Sequence, residues 1–377
     1  MRPWLLALSA SVIVVCASVA ALVVRADRSR SAEGAETTSM AAAPVTQPAP
    51  PDTLQPRITA MEAICAASAS AEAPATDRPS PIEARQLKDC SPTDDYYGVD
   101  ERRDALRARK CAFVQLDETR VANYRGGPWG AGVLMMLYAK GEGVKQNLPY
   151  ARRIACLAGF SQMDVVSLLD AIEETRIDPK AGVDICENIG SGMLGSQCAY
   201  EANHRRDLER DGRLARLQRG WPAARRSTWK SVVASRTALE EARIGNEIDT
   251  SGTLRGVFIA REEARLRDFD EALLKDLEAG GLKDGSAAAR EADKAMNLAY
   301  RQVMARTVDD RTWPPNEDVR STQRVWLRHR DSWRRFAEAY WPGSGDGVVA
   351  RLTADRRIIL RCHLPDPPES LRCERLV

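Results

Sequence analysis

An all-α protein displayed outside the cytoplasm is what this sequence predicts, and three observations predict it. Aromatic residues make up 6% of the 377 residues while Ala, Arg, Leu and Glu abound, a balance that favours helices over sheets. Apolar residues recur at helical spacings in long charged segments, and one segment echoes another 94 residues away. Nine cysteines occur, and eight of them lie beyond an N-terminal apolar run, an even number that suits disulfides in an oxidising compartment. The expected architecture is a short helical-repeat array followed by duplicated long helical-hairpin units, stapled by disulfides and preceded by a membrane segment and a disordered linker.

From Trp4 to Val24 the chain is uncharged and mostly apolar, between Arg2 and Arg25. That length suffices to span a hydrocarbon core. Ser18-Val19-Ala20 and Val24-Arg25-Ala26 also offer small-residue cleavage sites, so residues 1–26 read either as a signal peptide or as a retained anchor. Cys16 follows Val15 where a lipoprotein site would want a small residue. The rest of the chain is expected in the periplasm, secreted or held at the inner membrane facing the periplasm.

Residues 27–81, rich in Ala, Pro, Ser and Thr, are expected to form a disordered linker, because such a composition cannot offset its ordering entropy by apolar burial. One helical turn, Ile58 to Ala67, carries Cys65 and could tether this linker to the body.

Residues 82–189 contain a weak internal repeat. Tyr138-Ala139-Lys140-Gly141 is followed by Ala151-Arg152-Arg153-Ile154-Ala155-Cys156, as Tyr96-Tyr97-Gly98 is followed by Ala108-Arg109-Lys110-Cys111. The pattern describes a helix, a glycine turn and a second helix whose alanines face the first. Ser161 to Glu174 reads as a further amphipathic helix.

Residues 190–285 and 286–377 carry the longer echo. Arg226-Ser227-Thr228 matches Arg320-Ser321-Thr322, and Arg236 matches Arg330, at the same displacement of 94. Trp221-Pro222 and Trp313-Pro314 mark a helix entry in each copy. Long helices are predicted over Ala223 to Arg243 and Phe258 to Leu277, with Gly245 to Thr253 as the loop between. In the second copy Val319, Thr322, Trp326, Trp333, Phe336 and Tyr340 form one stripe on a helix of about six turns. Trp326 and Arg330, four apart, can stack. Trp326 reads either as an ordinary core residue or as an aromatic–Arg hot spot for a partner.

The stretch Val133 to Cys156 resembles the Sel-one-like repeat, a relative of the tetratricopeptide repeat, with Leu134, Tyr138, Gly141, Gly143 and Val144 in the expected order. Asp293 to Leu360 resembles the N-terminal domain of the lysozyme inhibitor LprI. The matching residues are Asp293, Met296-Asn297, Tyr300, Gln323, Trp326, Arg330-Asp331, Gly343-Ser344-Gly345, Leu352-Thr353, Arg356 and Leu360. Cys198 to Leu277 reads as a diverged copy. The resemblance implies an extracytoplasmic helical domain that binds a protein partner, with Asn297, Tyr300, Gln323, Trp326, Arg330 and Asp331 as the partner-binding residues. That family's own cysteines are replaced here by Ser332-Trp333 and Val348-Val349-Ala350, leaving Cys362 and Cys373 for some other bridge. The remaining disulfide candidates are Cys65, Cys90, Cys111, Cys156, Cys186 and Cys198.

Composition narrows the function classes. A net charge of +2 gives no case for nucleic-acid binding, and basic pairs such as Arg205-Arg206 read as solvated faces. No phosphate loop, nucleophile elbow or His-Glu-x-x-His motif occurs. Gly192 to Gly195 reads as a turn, Glu240-Glu241 as surface charge, and His204 and His329 as solvated or capping residues. No catalytic residue, metal site or cofactor is expected. The expected function is protein binding in the bacterial envelope, as an inhibitor of a lysozyme-type hydrolase or as a scaffold for envelope proteins. Residues 293–340 hold ten Lys/Arg and seven Asp/Glu, a charge of +3 that would not steer a basic lysozyme.

Overall fold

The computed structural model describes residues 54–100, 102–116, 129–178, 182–188, 190–307, 313–365 and 373. The apolar run 4–24 lies outside the described residues, and among these no helix is long and apolar enough to cross a membrane. They contain thirteen α-helices and no strand.

The first helix, α1 (Leu54–Ser68), falls inside the stretch expected to be linker. It packs on α6 (Leu148–Leu157) and α7 (Gln162–Ile177), and a disulfide joins Cys65 to Cys156. The segment after it is bonded as well. Arg153 donates to the Ala71 carbonyl at 2.8 Å and Tyr138 to Asp77 at 2.9 Å. Tertiary bonds therefore order residues 54–81, which their composition alone does not.

Short helices α2 (Pro81–Gln86) and α3 (Pro92–Tyr97) lead into α4 (Ala105–Gln115) and α5 (Trp129–Lys140). Helix α5 is apolar all round and buried, so α3, α4, α6 and α7 surround it. Gly141, at φ +75°, makes the turn that sends α6 back against it, and Tyr138 meets Tyr150 edge to face at 4.9 Å. Cys90–Cys111 and Cys186–Cys198 close the edges of this array.

Ser191 caps α8 (Gly192–Gln218), so the Gly192 to Gly195 stretch expected as a turn is helical. Leu194 and Cys198 on α8 still belong to the core of the array. From Asn203 onward the same helix belongs to a six-helix bundle with α9 (Ala223–Asn246), α10 (Arg255–Glu278), α11 (Ser286–Ala305), α12 (Asn316–Tyr340) and α13 (Gly345–Cys362).

The bundle consists of two three-helix units. In the first, α8 and α10 run parallel, as the bonds Asn203–Ala260 and Arg213–Glu271 show. In the second, α11 and α13 run parallel, with Arg306 bonded to the His363 carbonyl at 2.7 Å. Glycines open both pairs: a Cβ on Gly256 would lie 2.5 Å from the Ser196 Cβ, and one on Gly347 would strike the Leu282 carbonyl. The middle helices α9 and α12 pack antiparallel. Thr228 meets Tyr340 at 3.3 Å and Asn246 meets Thr322 at 3.2 Å. These are one contact made twice, since each pair maps onto the other by the 94-residue displacement. Ser235 and His329, themselves 94 apart, touch at 3.0 Å at the centre.

Candidate functional site

The residues singled out on the second copy come together along α11 and α12, at different depths. Trp326, 3% exposed, packs with Met296, Ala299, Val319 and Leu360. Gln323 is buried too, accepting from Arg356 at 2.8 Å and turning its amide to the Met296 sulfur at 3.4 Å. Neither offers surface to a partner, because the apolar stripe of α12 that carries them is the stripe the bundle covers. The shallower residues form a surface cluster. Arg330 lies over the Trp326 ring at 5.3 Å and bonds Asp331 at 3.0 Å. Asp293 stands 3.7 Å from that guanidinium and accepts from Asn297 at 2.9 Å. Tyr300 is half-buried one turn further on.

Arg356, the arginine of the Leu-Thr-x-x-Arg segment, enters a buried ionic cluster. Its guanidinium grips Glu247 through two bonds of 2.7 Å, and both side chains are essentially sealed from solvent. Arg243 joins Glu247 to Glu262 at 2.9 Å, and Arg265 joins Glu262 at 2.8 Å to Asp355 at 3.0 Å. Three carboxylates thus face three guanidiniums. Burial alone would raise Glu247, but Arg356 and Arg243 outweigh it and hold the carboxyl well below the usual range. Glu262, equally buried, is brought down to about 2 by Arg243 and Arg265. His363 lies 3.5 Å from Glu247; burial holds its ring neutral to lower pH than usual, against the pull of that carboxylate. No motif in the sequence marks Glu247 or Glu262, which stand on the loop side and the facing helix of the same pairing.

A second cluster joins half-buried Ser235 to the buried His329 and Asp270. His329, expected in solvent, is 1% exposed, with Nδ1 3.0 Å from Ser235 and Nε2 3.5 Å from Asp270. Asp270 also accepts from the Trp333 indole at 2.8 Å. The Ser–His–Asp order imitates a hydrolase, but the space beside it holds about 10 Å³, room for one water-sized sphere at most. Ser235 itself is half-buried and donates its hydroxyl proton to the Val232 carbonyl at 2.7 Å, not to the imidazole. Glu240, expected at the surface, is buried among Arg236 and Arg267 at 3.2 Å each; burial outweighs both arginines and raises its carboxyl. His204 remains half-exposed, 3.5 Å from Asp94. Among the described residues no group of three His, Cys, Asp or Glu is placed to hold a metal ion.

Two open clefts flank the second half of α8. One of about 490 Å³, between α8 and α10, is lined by Leu214, Leu217 and Leu274. The other, about 640 Å³, lies between α8 and α9.

All eight cysteines outside the apolar run pair: Cys65–Cys156, Cys90–Cys111, Cys186–Cys198 and Cys362–Cys373. Four such bridges fit an oxidising, extracytoplasmic environment.

No protein-family model matches the chain. No characterised protein matches it, and no solved structure does.

Proposed function

We propose that the chain is a protein-binding protein of the bacterial envelope whose target is a peptidoglycan-cleaving hydrolase of lysozyme type. One observation carries this reading: residues that stand in the order of the LprI-like pattern, from Asp293 to Arg356, depend on one another in space. Gln323 and Arg356 bond in the core while Asn297, Arg330 and Asp331 share one accessible face. On this reading the two three-helix units are a duplicated LprI-like unit, and α5 with α6 is a Sel-one-like pair. The apolar run 4–24 is then the export signal or the inner-membrane anchor of a periplasmic chain.

The test is an inhibition assay with protein produced under oxidising conditions. Stoichiometric protein is expected to slow peptidoglycan hydrolysis by purified lysozyme. The double variant Asn297→Ala/Arg330→Ala should inhibit about tenfold less, the order of a hot-spot truncation. Undiminished hydrolysis with folded protein would overturn the inhibitor reading.

A scaffold for envelope proteins is the second reading, and a specific observation favours it. The +3 charge of residues 293–340 offers no negative field to a basic lysozyme. A scaffold would retain envelope proteins through residues 90–190 and leave lysozyme activity unchanged.

A further inference from the structure

The cleft between α8 and α9 has walls of unlike charge and a floor that is apolar. Its floor is half-buried Leu214 and Val233 over the buried Trp229, with exposed Ala215 and Ala234 at the rims. Asp211 on α8 and Lys230 on α9 are both exposed lining residues, and neither forms an ion pair among the described residues. The deeper arginines are already engaged: Arg210 pairs with Asp207, and Arg236 and Arg267 share Glu240. The uncommitted charges are therefore one carboxylate on the first wall and one ammonium on the second.

The second unit shows how the corresponding place looks when it faces solvent. Ninety-four residues on, α12 carries Arg324, Leu327 and Arg328 where α9 has Lys230, Val233 and Ala234. Arg324 and Arg328 are exposed, and Leu327 and Met304 pack onto the second unit's own core. Shorter side chains on α9 leave the space open, at about 640 Å³. Small residues at a helix surface let a second backbone approach closely.

We propose that this cleft docks one amphipathic helix of a partner protein. That helix presents an apolar stripe to Leu214 and Val233, with acidic side chains along its α9 edge and basic side chains along its α8 edge. The proposal rests on the protein-binding reading above and adds a second surface to the Asn297–Arg330 face named there. Docking would follow the helix-in-groove mode, in which apolar anchors give affinity and edge charges give polarity.

The intact protein can be titrated by calorimetry with two synthetic helical peptides of about five turns, identical except that their acidic and basic edges are exchanged. The peptide of the stated polarity is expected to bind at least tenfold more tightly than its edge-reversed twin. Asp211→Lys/Lys230→Glu should invert that preference. Ala234→Arg, which installs the side-chain type of the second unit, should abolish binding of both peptides with the melting temperature unchanged. Absence of binding by either peptide, or equal binding indifferent to these substitutions, overturns the proposal. So does tighter binding of an uncharged detergent than of either peptide. Lysozyme inhibition without binding of either peptide would remove the cleft as a docking surface and leave the protein-binding reading standing. Peptide binding without any lysozyme inhibition would do the reverse to the choice of target.

Discussion

Glu247 is fully buried at the end of α9, and a carboxylate there is tolerable only because two guanidiniums and a neutral imidazole surround it. Removing one partner strands the charge. Arg356→Met is therefore expected to cost about 3–5 kcal/mol in urea unfolding, more than the double variant Arg356→Met/Glu247→Leu, which removes one charge of each sign and leaves Arg243 paired with Glu262. The histidine beside it adds a pH signature. His363 has its folded pKa depressed, so the unfolded chain takes up a proton first, near pH 6.5. Stability should hold above that pH and decline as pH falls below it, and His363→Gln should remove this part of the decline. A second loss, from Glu247 and Glu262, should begin below about pH 4.5 and remain in that variant. Melting temperatures recorded from pH 8 to pH 3 separate the two.

Among the helices, the parallel pairs depend on close backbone approach at their first turns. Gly347→Ala would drive a methyl into the Leu282 carbonyl, and a loss of about 1–3 kcal/mol is expected by thermal unfolding. Ala substitution at Gly245, which has open space around it, supplies the control. The long helices were legible beforehand: Ala223 to Arg243 and Phe258 to Leu277 fall within α9 and α10, because charged segments with one apolar stripe have a single way to bury it. Helix α1 was not, since its Ala-rich sequence has no stripe and its order comes from a bridge to a residue 91 positions away. The depth of Gln323 and Trp326 was hidden for the opposite reason. A stripe announces burial of a face without saying which residues on its margin stay wet, and of the matched residues on α12 Arg330 and Asp331 do so in part.

For the molecule as a whole, three of the four bridges lie in or beside the array, and the bundle depends chiefly on its aromatic and ionic cores. Cys65→Ser/Cys156→Ser opens the longest closed loop, and chain entropy suggests a loss of about 4–5 kcal/mol. Calorimetry with a dithiol reductant is expected to lower the array transition by more than that of the bundle; a uniform shift would refute this division. The buried ionic clusters were illegible at this scale, since Arg356 lies 109 residues from Glu247 and only the fold unites them. One pairing at the centre of the bundle has a consequence for assembly. If both halves carried the same residue where Ser235 meets His329, either half could close against a twin from another molecule as readily as against its own companion. An unlike couple on the axis makes the companion distinguishable from the twin, and so favours the closed single chain over exchange between chains.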